Sequence, residues 1–255
     1  MKKKIGLIGT GHLAKYLVTG LLKADADLEF SLADPNEENS KGFADKMKCF
    51  FTTDNQEAVD RSEVIILATR PEHVEPAIKN IVFDPEQLVV SVAAGVSLSI
   101  LTPLVSPARA IRALPISCVS VNKSPVLIFP EEQRARDIFS LVGKVHLMPD
   151  EKSFSPGTAL VGAFYAWMFL LMDETTVWTA GQGIDKDISK KLVIETIEGA
   201  CAMARDQDDI SLSDIWQTLA TPGGISEQGA GIISKEGGLS AWSNALTAVN
   251  NRLKG

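Results

Sequence analysis

The sequence predicts an α/β fold, with a doubly wound, mainly parallel sheet in residues 1–150 and an all-helical region in residues 151–255. Three observations predict it. Short apolar runs alternate with helical patterns in the first region. These runs are apolar at nearly every position, which is typical of parallel strands covered by helices on both faces. No strand pattern stands out in the second region.

Each apolar run has the length of a strand. The predicted strands are residues 4–9, 28–33, 63–68, 87–92, 109–114 and 124–129. After the first strand, Leu13, Leu17 and Leu21 recur at helical spacing. Prolines and a glycine interrupt a polar stretch at 149–157, which we interpret as the domain boundary. Beyond it, helices are predicted near 157–180, 187–206, 211–220 and 239–253, with a break at 221–224.

The composition indicates an ordinary globular protein with no nucleic-acid partner. Hydrophobic residues make up 45% of the chain, the net charge is −7 and the pI is about 5.1, whereas a nucleic-acid interface needs a basic face. The three widely spaced cysteines form neither a CxxC pair nor a metal-ligand pattern with the three histidines. No signal-peptide pattern precedes the first strand, so we expect a cytoplasmic protein.

Residues 157–172 are almost entirely apolar. The run ends at Asp173 and is shorter than the stretch of about 20 residues that a membrane-spanning helix needs. We therefore predict a helix buried on all sides, either in the core or between subunits, and no membrane partner.

The first strand is followed by a glycine-rich turn and an amphipathic helix. A dinucleotide needs its pyrophosphate placed against backbone N–H groups at a helix N-terminus, where the helix dipole favours negative charge. Gly9 permits the tight turn, Gly11 leaves no side chain between backbone and phosphate, and Ala14 lets the helix pack closely on the strand. His12 and Leu13 open the helix and join the candidate cofactor-binding residues. The alternative is a plain strand–turn–helix that binds nothing.

Asp34 follows the second strand, about where an acidic side chain would accept hydrogen bonds from the ribose hydroxyls of NADH. A 2′-phosphate would be repelled there, and residues 34–40 contain no Arg or Lys to neutralise it. The sequence therefore favours NADH over NADPH. In the alternative interpretation, Asp34 only starts a turn or caps the next helix before Pro35.

The third strand is followed by a short stretch that also points to the cofactor. Ligands of such sheets bind beyond the carboxyl ends of the strands, so Ala68, Thr69, Arg70 and Pro71 are placed to line it. Arg70 would contact phosphate or only cap the sheet edge. His73, like the histidine of the glycine turn, is expected to be a surface or loop residue and no acid–base group.

These segments, in order and over nearly the whole chain, resemble the pyrroline-5-carboxylate reductase family. The matching pieces are IGLIGTGHLA at 5–14, LATRP at 67–71, VVSVAAGVSLSIL at 89–101, RAIRALP at 109–115 and TPGG at 221–224. The last of these and SVAAGVS are more specific than the glycine turn.

The resemblance implies a Rossmann domain, an all-helical dimerisation domain that interlocks with a partner in a homodimer or higher homo-oligomer, and NADPH or NADH as cofactor. It also implies reduction of a cyclic imino acid, 1-pyrroline-5-carboxylate, to proline. Thr221 and Ser226 would then hold the substrate carboxylate, unless they only cap helices around the Gly–Gly break. A protonated imine already accepts hydride, so the protein needs to position it rather than activate it.

Two segments depart from the family pattern. Ile116 and Cys118 lie where the family has Asn-Thr-Pro, and residues 161–167 replace a Ser-Gly-Ser-Gly-Pro-Ala-Tyr type of segment with large apolar side chains. A drier substrate pocket would follow, or a dinucleotide-binding protein that has lost catalysis. The third alternative, a β-hydroxyacid dehydrogenase, would carry a catalytic Lys on the interdomain helix, and residues 157–185 contain none.

Overall fold

The first part of the chain folds into a sheet flanked by helices. In a computed structural model that describes residues 3–25 and 27–254, the strands are β1 (Lys3–Ile8), β2 (Leu28–Ala33), β3 (Phe50–Thr52), β4 (Val64–Leu67), β5 (Leu88–Ser91), β6 (Arg109–Leu114), β7 (Ser124–Phe129) and β8 (Gly143–Leu147). The helices between them are α1 (His12–Ala24), α2 (Glu37–Met47), α3 (Asn55–Asp60), α4 (Pro71–Ile78), α5 (Leu98–Val105) and α6 (Gln133–Ser140), with a 3-10 helix at Ser117–Val121.

The strands form one sheet in the order β3-β2-β1-β4-β5-β6-β7-β8. All neighbours pair in parallel except β6 and β7, which are antiparallel. Ile8, the last residue of β1, is level with Ala33 of β2 and Leu67 of β4, so the carboxyl ends of these strands meet at one edge. The predicted doubly wound, mainly parallel sheet is confirmed. Two strands, β3 and β8, lie at its two margins and had not been predicted.

Helices cover both faces of the sheet, as strands that are apolar throughout require. On one face, Leu7 of β1 belongs to a buried cluster with Leu17 and Leu21 of α1. On the other face, Ile65 of β4 packs in a second cluster that includes Leu101 of α5. Both clusters consist of buried side chains. This packing holds the strand ends, and the turns that follow them, in place.

The rest of the chain is helical. It contains α7 (Phe154–Thr158), a π-helical turn (Ala159–Phe164), α8 (Tyr165–Gly181), α9 (Lys186–Asp206), α10 (Leu212–Leu219), α11 (Ile225–Lys235) and α12 (Gly238–Lys254). By contacts, the chain divides into Met1–Gly162 with Arg252–Gly255, and Ala163–Asn251. The predicted break at 221–224 is the turn between α10 and α11. Helix α11 had not been predicted, because its glycines and polar residues conceal the helical pattern.

Helix α8 is not buried in the core of its own chain, contrary to one of the two predicted environments. Within Tyr165–Gly181 the buried side chain is that of Thr176, whereas Leu170 is 70% and Trp178 65% exposed. Large apolar side chains exposed together mark an interaction surface. Among the described residues, Phe154–Gly181 also has the length and apolar composition of a membrane span, a test that the core helix of a soluble protein and a signal sequence pass too.

Candidate active site

A cavity of about 540 Å³ lies at the carboxyl ends of β1, β2 and β4, where ligands of open α/β sheets bind. It brings together most of the predicted cofactor residues, which are Gly9, Gly11, Asp34, Ala68, Thr69 and Arg70. The same cavity is lined by Ile8, Thr10, Pro35, Thr53, Asn55, His73, Pro76 and Ala77. The ends of β1, β2 and β4, together with the segment that follows β3, therefore supply one concave surface.

The position of Gly9 allows no other residue. Its φ is +93°, in the region that L side chains rarely adopt. A Cβ atom there would also lie 3.0 Å from the carbonyl carbon and oxygen of Ala68 and 2.9 Å from Cγ2 of Thr69. The Gly9 N–H donates to the carbonyl of Ala33 at 2.8 Å. The turn is thus held tightly between β2 and the end of β4.

Gly11 has a different role, because it leaves space open. It is the N-cap of α1, has an ordinary extended backbone and makes no side-chain cap hydrogen bond. A Cβ at Gly11 would meet no atom within 4 Å, so the fold itself does not require a glycine here. The first N–H groups of any helix lack an intrahelical acceptor, and those of α1 begin with His12 and Leu13. The structure offers an anionic group an open approach to them.

The Asp34 carboxylate is held by three hydrogen bonds in the structure. Its Oδ2 accepts from the backbone N–H and the hydroxyl of Thr10, each at 2.8 Å. Its Oδ1 accepts from the backbone N–H of Asn36 at 2.9 Å. Asp34 therefore starts a turn, as the alternative interpretation of the sequence proposed. Asp34 also lines the cavity, so the turn and a contact with a ligand are compatible.

The turn after β4 also lines the cavity. Oγ1 of Thr69 is buried and, among the described residues, finds no hydrogen-bond partner. Arg70 is the N-cap residue of α4, and Pro71 begins that helix. Arg70 and His73 are exposed, and both line the cavity. Thr69 and Gly11 line the same cavity, and an unpartnered buried hydroxyl there is a feature that a polar ligand would satisfy.

Thr221 and Ser226 lie in the helical region, at the turn between α10 and α11. Gly224 is the N-cap of α11, and its N–H donates to the carbonyl of Thr221 at 2.8 Å. The N–H of Gly223 donates to Oε2 of Glu227 at 2.7 Å. Thr221 and Ser226 are exposed, one on either side of this helix start. Their hydroxyls are therefore accessible, and the turn between them is held by Glu227.

The two departures from the family pattern are apolar and packed. Ile116 is buried, and its N–H donates to Oγ of Ser124 at 3.0 Å. Burial raises the pKa of the Cys118 thiol, which favours the predicted packing role over a reactive thiolate. Phe164 lies 5.6 Å from Trp242 and 6.3 Å from Trp167, centroid to centroid. These aromatic rings form an edge-to-face cluster where the family has small residues.

Several residues of the site were missed from the sequence. Thr53 and Asn55 follow β3, a strand of three residues, and line the cavity from its end. The Asp54 side chain accepts from the N–H of Gln56 and caps α3, and this helix start was the signal that could have revealed them. Thr10 lies inside the glycine turn, but its hydrogen bonds to Asp34 join residues far apart in sequence.

Comparisons with known proteins agree with this arrangement. A profile described as NADP oxidoreductase coenzyme F420-dependent matches residues 4–95, and one described as pyrroline-5-carboxylate reductase dimerisation matches residues 151–255. The pyrroline-5-carboxylate reductase of Methanosarcina acetivorans is 27% identical over 264 residues, covering 99% of this chain and 97% of the relative. That of Pasteurella multocida is 27% identical, with 92% and 90% covered.

Solved structures give the same result. 1-Pyrroline-5-carboxylate reductase from Streptococcus pyogenes is 25% identical with a TM-score of 0.88 and covers 98% of each chain. A pyrroline-5-carboxylate reductase from Coxiella burnetii is 26% identical with a TM-score of 0.85, covering 100% of this chain and 98% of the other. The fold, the glycine turn, the match of the helical region to the dimerisation domain and the full-length likenesses lead to one conclusion: this chain belongs to the pyrroline-5-carboxylate reductase family.

Proposed function

We propose that this chain is an NAD(P)H-dependent reductase of the C=N bond of a cyclic imino acid, converting 1-pyrroline-5-carboxylate or a related imine to the cyclic amino acid. The observation that carries the proposal is the cavity at the strand ends, where the backbone beside Gly11 is open to an anionic ligand. Family membership gives this cavity its chemistry. When bound, the reduced nicotinamide supplies the hydride.

The residues present fit a dinucleotide. The start of α1 offers N–H groups and a helix dipole to a pyrophosphate, and no side chain at Gly11 obstructs it. The buried Oγ1 of Thr69 is left for a polar group of the ligand. Arg70 lines the cavity and supplies a positive charge toward phosphate. Together with Ala68 and Pro71, these residues would hold the cofactor against the strand ends.

We infer that the cofactor is NADH rather than NADPH. The Asp34 carboxylate lines the cavity, and Glu37 and Glu38 occupy the first turn of α2 immediately after it. These charges oppose a 2′-phosphate, and the cation that is nearest in sequence, Lys41, already pairs with Glu37 at 3.0 Å. A ribose hydroxyl, in contrast, can donate to Asp34.

The substrate would be held by its carboxylate. Thr221 and Ser226 present hydroxyls on either side of the N-terminus of α11, where the helix dipole also favours an anion. Gly224, the N-cap, makes no side-chain cap hydrogen bond, so the first N–H groups of the helix add to the donors. Fixing the carboxylate orients the ring for hydride transfer to the imine carbon, and the protonated nitrogen becomes the amine without a further proton.

These roles assign residues 1–150 to cofactor binding and residues 151–255 to dimerisation and substrate binding. The exposed apolar surface of α8 would be covered by the second subunit of a homodimer. The three cysteines are all free, which is compatible with the cytoplasm.

Two rate measurements and one binding measurement test the proposal. Oxidation of NADH and NADPH is followed with 1-pyrroline-5-carboxylate as substrate, and cofactor binding is recorded by fluorescence on the same samples. We expect turnover, with a lower KM for NADH. Binding without turnover of this or any related cyclic imine would support the alternative of lost catalysis, for which the apolar Ile116 and the aromatic cluster at Phe164 are the motivation.

A further inference from the structure

Three side chains, those of Ser40, Thr10 and Asp34, are linked by consecutive hydrogen bonds that end at the Asp34 carboxylate. Oγ1 of Thr10 donates to Oδ2 of Asp34 at 2.8 Å, and the same Oγ1 lies 2.5 Å from Oγ of Ser40. A threonine hydroxyl has one proton, and the Thr10 proton is on the bond to the carboxylate. Ser40 must therefore donate to Thr10, and the chain runs in one direction, from Ser40 through Thr10 to Asp34.

Both hydroxyls are withdrawn from solvent. Ser40 is 0% and Thr10 is 5% exposed, so water does not compete for these hydrogen bonds. Successive hydrogen bonds polarise one another, most strongly where the surroundings are apolar. The same hydrogen bonds connect α2, which contains Ser40, to the turn between β1 and α1, which contains Thr10. They thus join the two segments that flank Asp34 in space.

The remaining hydrogen-bonding capacity of Asp34 is small. A carboxylate offers about four acceptor positions. The N–H and hydroxyl of Thr10 take the two on Oδ2, and the N–H of Asn36 takes one on Oδ1. Among the described residues no donor occupies the fourth position, which lies on Oδ1 of a side chain that lines the cavity. The carboxylate is therefore fixed in orientation and has a single acceptor for a ligand hydroxyl.

We propose that Ser40 and Thr10 are positioning residues for cofactor selection, which hold Asp34 so that it accepts one hydroxyl of the adenosine ribose and repels a 2′-phosphate. This inference rests on the proposed function. In this role both hydroxyls act on the cofactor through Asp34. The selectivity for NADH over NADPH should then depend on Thr10 and Ser40 as well as on Asp34 at the end of β2.

The test is the ratio of the dissociation constants for NADPH and NADH, measured by fluorescence titration without substrate. The Thr10→Val substitution removes the hydroxyl with little change of shape, and we expect it to lower the ratio by about fivefold, the effect of one ordinary hydrogen bond. Thr10→Ser keeps the hydroxyl and should restore the ratio. Ser40→Ala should lower the ratio in the same direction, by a smaller factor.

Two further variants separate positioning from general loss of structure. In an Asp34→Ala background, Thr10→Val should leave the ratio unchanged, because the residue through which it acts is gone. Ser62→Ala is the matched control, since Ser62 is also buried but donates to the carbonyl of Ala58 at 2.7 Å, within the α3 region; it should alter stability and not the ratio.

The outcomes are distinct. An unchanged ratio in both Thr10→Val and Ser40→Ala, with normal binding by the wild type, overturns the positioning role and leaves the proposed reductase intact. A Thr10→Val effect of equal size with and without Asp34 also overturns it. Failure of the wild type to bind either dinucleotide overturns the proposed function and this inference together. Thermal melts of each variant identify loss of fold, and Ser40→Ala then provides the answer if Thr10→Val does not fold.

Discussion

The Gly11→Val substitution separates cofactor binding from folding. Gly11 has φ −62° and ψ −176°, an extended conformation that valine adopts freely, and its Cβ would meet no atom within 4 Å. Valine is a poorer N-cap than glycine, so the free energy of unfolding should fall by no more than about 1 kcal/mol. The added methyl groups project into the space beside the first N–H groups of α1.

The expected loss of cofactor affinity is much larger. A hydrogen bond to a charged group contributes about 1.5–3 kcal/mol, and the side chain would keep the pyrophosphate from at least two such N–H groups. Because about 1.4 kcal/mol is a factor of ten, the dissociation constant for NADH should rise by at least about 100-fold. Fluorescence titration measures the affinity, and urea unfolding measures the stability of the same preparation.

Two other glycines provide the controls. Gly42 also has no atom within 4 Å of its Cβ position, but it lies in α2 and does not line the cavity; Gly42→Val should bind NADH normally. A Cβ at Gly20 would lie 2.1 Å from the carbonyl oxygen of Val119, so Gly20→Ala should destabilise the fold itself. Retained NADH affinity in Gly11→Val would refute the assignment of the glycine turn to the pyrophosphate.

Three further predictions concern the substrate, the stability and the assembly. Ser226→Ala should raise the KM for 1-pyrroline-5-carboxylate by about tenfold or more, because a hydrogen bond to the carboxylate is lost, while NADH affinity stays unchanged. Glu151→Gln should lower the free energy of unfolding by about 2 kcal/mol in urea titrations, because it leaves Arg112, which is 5% exposed and bonded to Glu151 at 3.0 Å, as an uncompensated buried charge. Leu170→Glu should convert the proposed homodimer to a monomer in light-scattering measurements, because it places a charge on the exposed apolar face of α8.

The first two of these predictions have matched controls, and all three have a contradicting result. Ser234→Ala, at the other end of α11, should leave KM unchanged; equal effects of the two serines would remove Ser226 from the site. Glu37→Gln breaks an exposed ion pair and should leave the free energy of unfolding nearly unchanged. An equally small effect of Glu151→Gln would contradict the buried-charge argument. A stable dimer in Leu170→Glu would show that this face of α8 is not the interface.

Most of the sheet could be predicted because its strands are buried on both faces. The runs that became β1, β2, β4, β5, β6 and β7 are mostly apolar, and their length and the turn residues between them then locate the strands. The two strands that were missed lack this pattern. β3 is three residues with half-buried side chains, and β8 exposes Lys144, His146 and Leu147. The antiparallel pairing of β7 with β6 could not be predicted either, because an apolar run does not indicate whether its strand pairs in parallel or antiparallel.

The site was predictable where it depends on backbone geometry and less so where it depends on long-range contacts. Gly9 and Gly11 were found because a tight turn at a helix start restricts side chains locally. The role of Thr10 depends on Asp34 and Ser40, which lie 24 and 30 residues away, and this spacing has no signature in sequence. Glu227 was missed for a similar reason. Its carboxylate accepts from the N–H of Gly223, but it lies in α11, a helix that was not predicted because of its glycines.

The most direct test of the account is the rate of NADH oxidation with 1-pyrroline-5-carboxylate, compared between the wild type and Gly11→Val. The account predicts steady turnover by the wild type, formation of proline in equal amount to the NADH consumed, and near-complete loss of the rate in the folded variant. Wild-type protein that binds NADH but forms no proline, and reduces no related cyclic imine, would contradict the central claim that this chain is an imine reductase.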